Sequence, residues 1–339
     1  MFGRVELRSS LREVAIKAGV SNATVSRVLN NTDVRIAPET RQRVRKIAAD
    51  LGYQPNPSAR SLVTGRTDTI ALCITNLRSQ YSARVIAHAL EEILPHEYEI
   101  IVTEMHIKHD GKADTPKLLS LPVDGFILSE LPHGPLPGLE GSLLWGKPFV
   151  NIGVYVVDTA DFVHVNLLNC GIEAIRHLHT VGCRRIAYLV PDWLDWFRER
   201  CDSRLVAYET GIEEIGQPAE FIRTPHAGRS VAGPALKAHI EQHGCPDGLF
   251  CYNDEMAVGA LRALRELGLR IPEDVALIGC DGITEMEYHN PPVTTIVTPM
   301  REVYAYGWKF LQQRIANPEL PLQQIDLQPH LEIRASSQR

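Results

Sequence analysis

Asn22, Ala23, Ser26, Arg27 and Asn30 recur at helical spacing and make one polar, hydrogen-bonding face, while Val25, Val28 and Leu29 make an apolar one. A short helix with such a face can present amide, hydroxyl and guanidinium groups to base edges in the DNA major groove. The flanking residues say how that helix is positioned. Ser21 sits where an N-cap belongs, and Gly19 before it can take the left-handed backbone of a tight turn. Upstream, Ser10 and Glu13 read as a capping box opening an earlier helix. In that helix Val14, Ala15 and Ala18 are small enough for close crossing. Two short helices joined through a glycine turn describe a helix-turn-helix. The plainer alternative is an amphipathic pair inside an all-α subdomain.

Charge favours the first reading. Residues 1–66 carry twelve Lys+Arg against five Asp+Glu, a net of +7, whereas the rest has 23 against 36, a net of −13. A basic head on an acidic body suits phosphate-backbone binding. With 339 residues and 44% hydrophobic content, the chain suits two or three globular domains. No apolar run approaches the roughly 20 residues of a membrane helix, and no secretory signal is read at the N-terminus. The seven cysteines lack zinc or CxxC spacing, which predicts reduced thiols in a cytoplasmic protein, with Cys73, Cys251 and Cys280 as buried small hydrophobes.

A third helix is expected from Pro38 to Leu51, stopped at Gly52, with Val44, Ile47, Ala48 and Leu51 closing a three-helix core. Arg41, Arg43, Arg45 and Lys46 surround it, some of them placed for phosphates. A hinge helix of about eight residues, 57–64, follows, opened by Pro57 and ended by Gly65. It is too short to be stable alone, and Leu62 on it would be an apolar wedge for a minor-groove base step; an ordinary flexible linker is the alternative. From Thr69 onward, apolar runs at Ile70–Ile74, Ile100–Val102, Gly125–Leu128, Phe149–Ile152, Ile186–Val190, Gly248–Cys251 and Val275–Gly279 alternate with helical stretches near 80–94, 169–181, 203–216, 230–243, 254–268 and 300–315. That alternation predicts parallel sheets flanked by helices, in two α/β lobes with a cleft.

These stretches resemble the lactose-repressor-type (LacI/GalR) family of transcription regulators. The resemblance runs through Val14-Ala15-x-x-Ala18-Gly19-Val20-Ser21, Ala23-Thr24-Val25-Ser26-Arg27-Val28-Leu29-Asn30, Pro38-Glu39-Thr40-Arg41, Leu51-Gly52-Tyr53-x-Pro55-Asn56, Ala59-Arg60-Ser61-Leu62 and Gly65-Arg66-Thr67. It continues in Val123-Asp124-Gly125-Phe126-Ile127, Asn253-Asp254-Glu255-Met256-Ala257-Val258-Gly259-Ala260, Ile278-Gly279-Cys280-Asp281-Gly282, Pro291-Pro292-Val293-Thr294-Thr295-Ile296 and Leu331-x-x-Arg334-x-Ser336. It implies an all-α helix-turn-helix domain with a hinge helix over 1–66, joined to a two-lobed α/β, periplasmic-binding-protein-like body over 67–339. The lobes would be about 67–178 with 300–327, and about 179–299 with 328–339. It implies a homodimer on a pseudo-palindromic double-stranded DNA operator, most simply a repressor and not an enzyme. Asn22, Ala23 and Arg27 would read bases, Thr24 and Ser26 would hold phosphates or cap backbone, and Ala59 and Leu62 would enter the minor groove. Ala37 stands where the family often has a capping Ser.

The resemblance also implies a small-molecule effector between the lobes. Carried over by position, its contacts would be Tyr81, Asn166, Arg204, Asn253 and Asp281. Arg, Asp and Asn can bond adjacent hydroxyls and Tyr can stack on a pyranose face, which suits a sugar or sugar derivative. Asn166 departs from a common Asp and Ala207 from a usual Gly, so a purine-like corepressor or a protein partner is the alternative effector. Trp193 and Trp196, with Phe197, would suit sugar stacking at a cleft mouth, and equally a buried loop or a dimer contact.

No catalytic constellation, cofactor motif or metal set is read. Gly141–Lys147 resembles a phosphate loop but runs into Pro148 and a strand, and Gly228–Gly233 lacks the lysine. His106/His109 and His177/His179 have no third ligand nearby. A sugar-transport protein would share the two-lobed body but would need a signal peptide and no basic head.

Overall fold

The computed structural model describes residues 9–29, 35–53, 61, 64–105, 118, 120–130, 143–144, 146–155, 159–193 and 202–339. The chain divides into two compact units, Met1–Thr67 and Asp68–Arg339. Among the described residues no helix is long and apolar enough to cross a membrane.

The first unit is built on α1 (Leu11–Ala18), α2 (Asn22–Leu29) and α3 (Pro38–Asp50). Its buried core is Val14, Ala15, Ala18, Val25, Val28, Val44 and Ala48. The capping box is present in full: the Glu13 N–H donates to Ser10 Oγ at 3.3 Å and the Ser10 N–H to Glu13 Oε2 at 2.7 Å. Gly19 takes φ +66° at the turn. On α3, Arg43 donates to the Ala18 carbonyl at 3.1 Å and so covers the end of α1. Ala37 opens α3 without any side-chain cap bond. Ala37→Ser should therefore stabilise this unit by about 1 kcal/mol, readable as a higher denaturation midpoint by circular dichroism.

The second unit holds two mostly parallel sheets. Strands β1 (Thr69–Ile74), β2 (Glu99–Glu104), β3 (Gly125–Ser129), β5 (Lys147–Gly153), β6 (Phe162–Val165) and β12 (Gln324–Leu327) form the first, in the order β12-β6-β5-β3-β1-β2, with β4 (Leu143–Leu144) beside β5. Strands β7 (Ile186–Pro191), β8 (Glu220–Thr224), β9 (Gly248–Cys251), β10 (Ala276–Asp281), β11 (Thr294–Val297) and β13 (His330–Glu332) form the second, in the order β13-β11-β10-β9-β7-β8. Only β13 in the second runs antiparallel to its neighbour. Helices α4 (Gln80–Ile93) and α9 (Met300–Ala316) cover the first sheet; α6 (Ser203–Glu214), α7 (Arg229–His243) and α8 (Asp254–Glu266) serve the second. The fold class is the one expected: a helix-turn-helix unit, then a two-lobed α/β body.

One boundary differs. Helix α5 (Leu168–Thr180), expected in the first lobe up to residue 178, packs on the second. A Cβ on Gly171 would meet Ala207 Cβ of α6 at 2.5 Å, Arg176 forks onto Glu214 of α6, and the Cys170 thiol donates to the Pro329 carbonyl. The lobes exchange chain at 166–167, ahead of this helix, where the parallel strand β6 must end before its crossover helix can cover another sheet. Two further exchanges follow, at 298–299 and 328–329. Gly171 also gives Ala207 its room. Gly171→Ala should cost about 1–3 kcal/mol by overpacking, and Ala207→Gly in the same chain should restore most of the lost melting temperature.

Candidate functional site

In the first unit the polar face of α2 is outward. Asn22, Ala23 and Arg27 are exposed, and Thr24 and Ser26 are half-buried. The Thr24 N–H donates to Ser21 Oγ at 3.1 Å, and the two hydroxyls lie 2.9 Å apart, so Thr24 is part of the cap that starts the helix. Asn30, Ala59 and Leu62 lie outside the described residues. At the far side of that segment, the Gly65 N–H closes a helical turn on the Ser61 carbonyl at 2.8 Å.

In the second unit, a group of ionisable and aromatic side chains collects where strand ends of the two sheets face each other. Arg204, near the start of α6, is 5% exposed. Asp202, the N-cap of that helix, accepts from its Nε at 3.0 Å and from its Nη2 at 2.9 Å. The guanidinium lies over the Tyr252 ring, 3.7 Å from the centroid, and also donates to the Tyr252 hydroxyl. Burial works against its charge, and Asp202 beside it more than reverses that, holding Arg204 well above the usual guanidinium range. Trp193 meets the Tyr252 ring edge-on at 5.6 Å. From the first lobe, the Tyr155 hydroxyl sits 3.4 Å from that of Tyr252.

Two carboxylates complete the group, one from each lobe. Glu130 follows β3 with φ +56°, and Asp281 ends β10 with φ +124°. Both are left-handed conformations that a side chain resists, of a kind that persists only where the surroundings over-determine it. Tyr81 donates to Glu130 Oε1 at 3.0 Å. A Cβ on Gly153, itself at φ +152°, would lie 3.0 Å from Glu130 Oε2 and 3.3 Å from its Cα, so glycine at the end of β5 leaves Glu130 its room. Burial raises the Glu130 pKa and raises that of Asp281 well above the carboxylate range, with Asp254 adding to the latter. The tyrosine hydroxyl of Tyr81 is raised by burial and by Glu130. Asp254, buried at the start of α8, accepts from Thr295 Oγ1 at 2.7 Å and from the Ile283 N–H at 2.8 Å, yet burial still pushes it up to about 6. Arg84 of α4 reaches across the lobes to the carbonyls of Asp281, at 2.9 Å, and Gly282, while the Gln80 N–H donates to Glu255.

Two family models match the chain. One, for bacterial regulatory proteins of the lacI family, covers residues 10–56, and one for a periplasmic binding protein-like domain covers 175–337. A curated relative, the HTH-type transcriptional repressor PurR of Proteus mirabilis, is 32% identical over 97% of this chain and 96% of its own length. The chain belongs to the lacI family of bacterial regulatory proteins. The HTH-type transcriptional repressor CytR of Escherichia coli K12 is 27% identical over 88% of the chain and 87% of its own length. Among solved structures, a transcriptional regulator CelR–cellobiose complex is similar at 26% identity and a TM-score of 0.67, covering 97% of this chain and all of that one. The lac repressor dimer bound to operator and an anti-inducer shares the fold at 22% identity and a TM-score of 0.80, over 98% of this chain and 99% of its own. The protein is thus a LacI-family DNA-binding repressor with an effector-binding domain.

Of the effector contacts expected for this LacI-family chain, Tyr81, Arg204, Asp281 and Trp193 come together. Asn253 does not offer a free amide: its Oδ1 caps α8 by accepting from the Met256 N–H at 2.8 Å, and its Nδ2 donates to the Ala227 carbonyl. Asn166 stands at the first lobe exchange, where its Oδ1 accepts from the Leu168 N–H; among the described residues no hydrogen bond joins it to the group. Trp196 lies outside the described residues. Sequence reasoning missed Glu130, Asp202, Tyr155 and Tyr252. Asp202 is legible in retrospect as an N-cap two residues before a basic residue. Tyr252 precedes the recognised Asn253 block, but nothing local marks Glu130.

Proposed function

We propose that this repressor is a homodimer whose affinity for a pseudo-palindromic operator is set by a sugar or sugar derivative held between the lobes. The observation that carries the effector class is Arg204, fixed by Asp202 against the face of Tyr252, with Trp193 edge-on to that ring, Asp281 in the same lobe and Glu130 in the other. Aromatic faces with oriented donors and acceptors match a ring that is apolar on its faces and hydroxylated at its rim. Similarity to a regulator solved with cellobiose supports the same class. A purine-like corepressor is the second reading, favoured by the higher identity to PurR repressors. Closing of the site acts on the lobes through Arg84 and Gln80, which already bridge them, and a ligand that strengthens one arrangement shifts that equilibrium.

The test is a thermal-shift titration of the full chain against sugars and purines, followed by operator titration with whichever compound binds. A concentration-dependent rise with a sugar supports the reading, because native-state ligands stabilise by mass action. A rise with purines alone replaces it with the second reading. On DNA, Arg27→Ala should relax base preference at one operator position, at about 1–3 kcal/mol. Leu62→Ala should lose specific more than non-specific affinity. Full affinity and selectivity in both variants would reject these two as contacts.

A further inference from the structure

Among the described residues, four carboxylates and two guanidiniums meet at the interlobe site, and their partners decide what charge is left for a ligand. Arg204 is matched by Asp202 through two hydrogen bonds, at 3.0 and 2.9 Å, with both side chains almost fully buried. Arg84 is turned to two backbone carbonyls. Asp254 is held by Thr295 and the Ile283 N–H, behind β10. Glu130 and Asp281 remain. Neither forms an ion pair among the described residues, Glu130 has only Tyr81 as a side-chain donor, and the described residues offer the Asp281 carboxylate none. Both occupy left-handed backbone positions at strand ends, one on each wall. The Glu130 charge adds to the cost of ionising Asp281.

We propose that the site takes an effector with no negative charge, one that presents clustered hydrogen-bond donors, as adjacent hydroxyls or a protonated amine, to Glu130 and Asp281. This rests on the reading of the interlobe group as the effector site. A phosphorylated or carboxylated ligand would bring its charge to a group in which, among the described residues, four acids outnumber two guanidiniums, one matched by Asp202 and the other engaged by backbone carbonyls, and in a poorly solvated site that charge opposes ionisation of Glu130 and Asp281. A donor-rich ligand does the reverse. It favours the ionised form of both acids and so releases protons as it binds. Its affinity should therefore rise as pH rises through the elevated range of these acids. Asp281 faces Asp254, Arg204, Glu130 and Arg84; Glu130 faces Tyr81, Arg204 and Asp202. Asp254, whose pKa burial also raises, keeps its hydrogen bonds to Thr295 and the Ile283 N–H.

The experiment is a thermal-shift and calorimetric titration of the full chain with matched sets: glucose, glucosamine and glucose 6-phosphate; ribose and ribose 5-phosphate; adenosine and adenosine monophosphate. The expected result is that the uncharged or amine-bearing member of at least one set binds about 100-fold more tightly than its phosphorylated counterpart. In Glu130→Gln with Asp281→Asn, that ratio should fall to within about tenfold and the pH dependence should vanish. Preference for the phosphorylated member in any set overturns the proposal and leaves the effector reading standing. Failure of every compound to bind the wild-type chain overturns both. A double variant that keeps the full ratio also overturns the proposal, because discrimination would then arise elsewhere.

Discussion

Arg314→Ala should unfold the second unit at a temperature lower by roughly 10 °C, a loss of about 3–5 kcal/mol. Arg314 is 3% exposed and Asp161 is fully buried. All five of its N–H donors are used. Nε and Nη2 fork onto Asp161 at 2.9 and 2.8 Å, Nη2 also reaches the Pro321 carbonyl at 2.9 Å, and Nη1 serves the carbonyls of Pro318 and Leu320. Asp161 in turn receives the backbone and side-chain N–H groups of Gln323. The guanidinium therefore fixes the turn that delivers β12 to the edge of the first sheet. Truncation leaves a buried carboxylate short of its cation and three carbonyls short of a donor. Lysine offers only three donors from a single point and cannot span both sides, so Arg314→Lys should recover less than half of the loss. Denaturant melts of the three chains check this. A shift below about 2 °C for the alanine variant would show that the turn is held by other means.

Arg204→Leu is expected to abolish the response to effector and to cost the fold about 3 kcal/mol as well, since it strands Asp202 beneath α6. The two effects can be separated. Asp202→Asn in the same chain removes the stranded charge and preserves the N-cap, because asparagine caps as well as aspartate. The double variant should regain most of the melting temperature and still show no ligand-induced shift. If the double variant responds to ligand as the wild type does, Arg204 is a structural residue and the effector site lies elsewhere.

What the sequence disclosed follows the range of the interactions involved. The head is local: a cap at Ser10, a left-handed Gly19 and a second cap at Ser21 are each decided within four residues, and each can be read from spacing. The long strands β1, β3, β7 and β10 are buried on both faces and show as continuous apolar runs. Strands β6, β8, β12 and β13 are short or interrupted by polar groups, and β6 contains a buried His164 whose partner, Asp326, is 162 residues away. Such a histidine has no local signature. The lobe boundary was misplaced because the tail of β6 and the start of α5 differ in the sheet they cover, which only packing decides. The same limit applies to the site. Arg204 and Asp281 were reached by resemblance, whereas Glu130 acquires meaning only when β3 lies beside β5 and Gly153 makes room for it.

The three lobe exchanges bear on how the protein is born. The strand that completes the edge of the first sheet, Gln324–Leu327, leaves the ribosome only after the whole second sheet except β13 has been made. Residues 69–165 must therefore wait, with one edge of β6 unpaired, through the synthesis of about 160 more residues, on the order of ten seconds or more at bacterial rates. During that interval the nascent chain carries a finished helix-turn-helix and an unfinished sensor. A ribosome stalled before residue 324 would thus expose a strand edge to neighbouring nascent chains, and chaperone occupancy profiled along the message should be highest in that window.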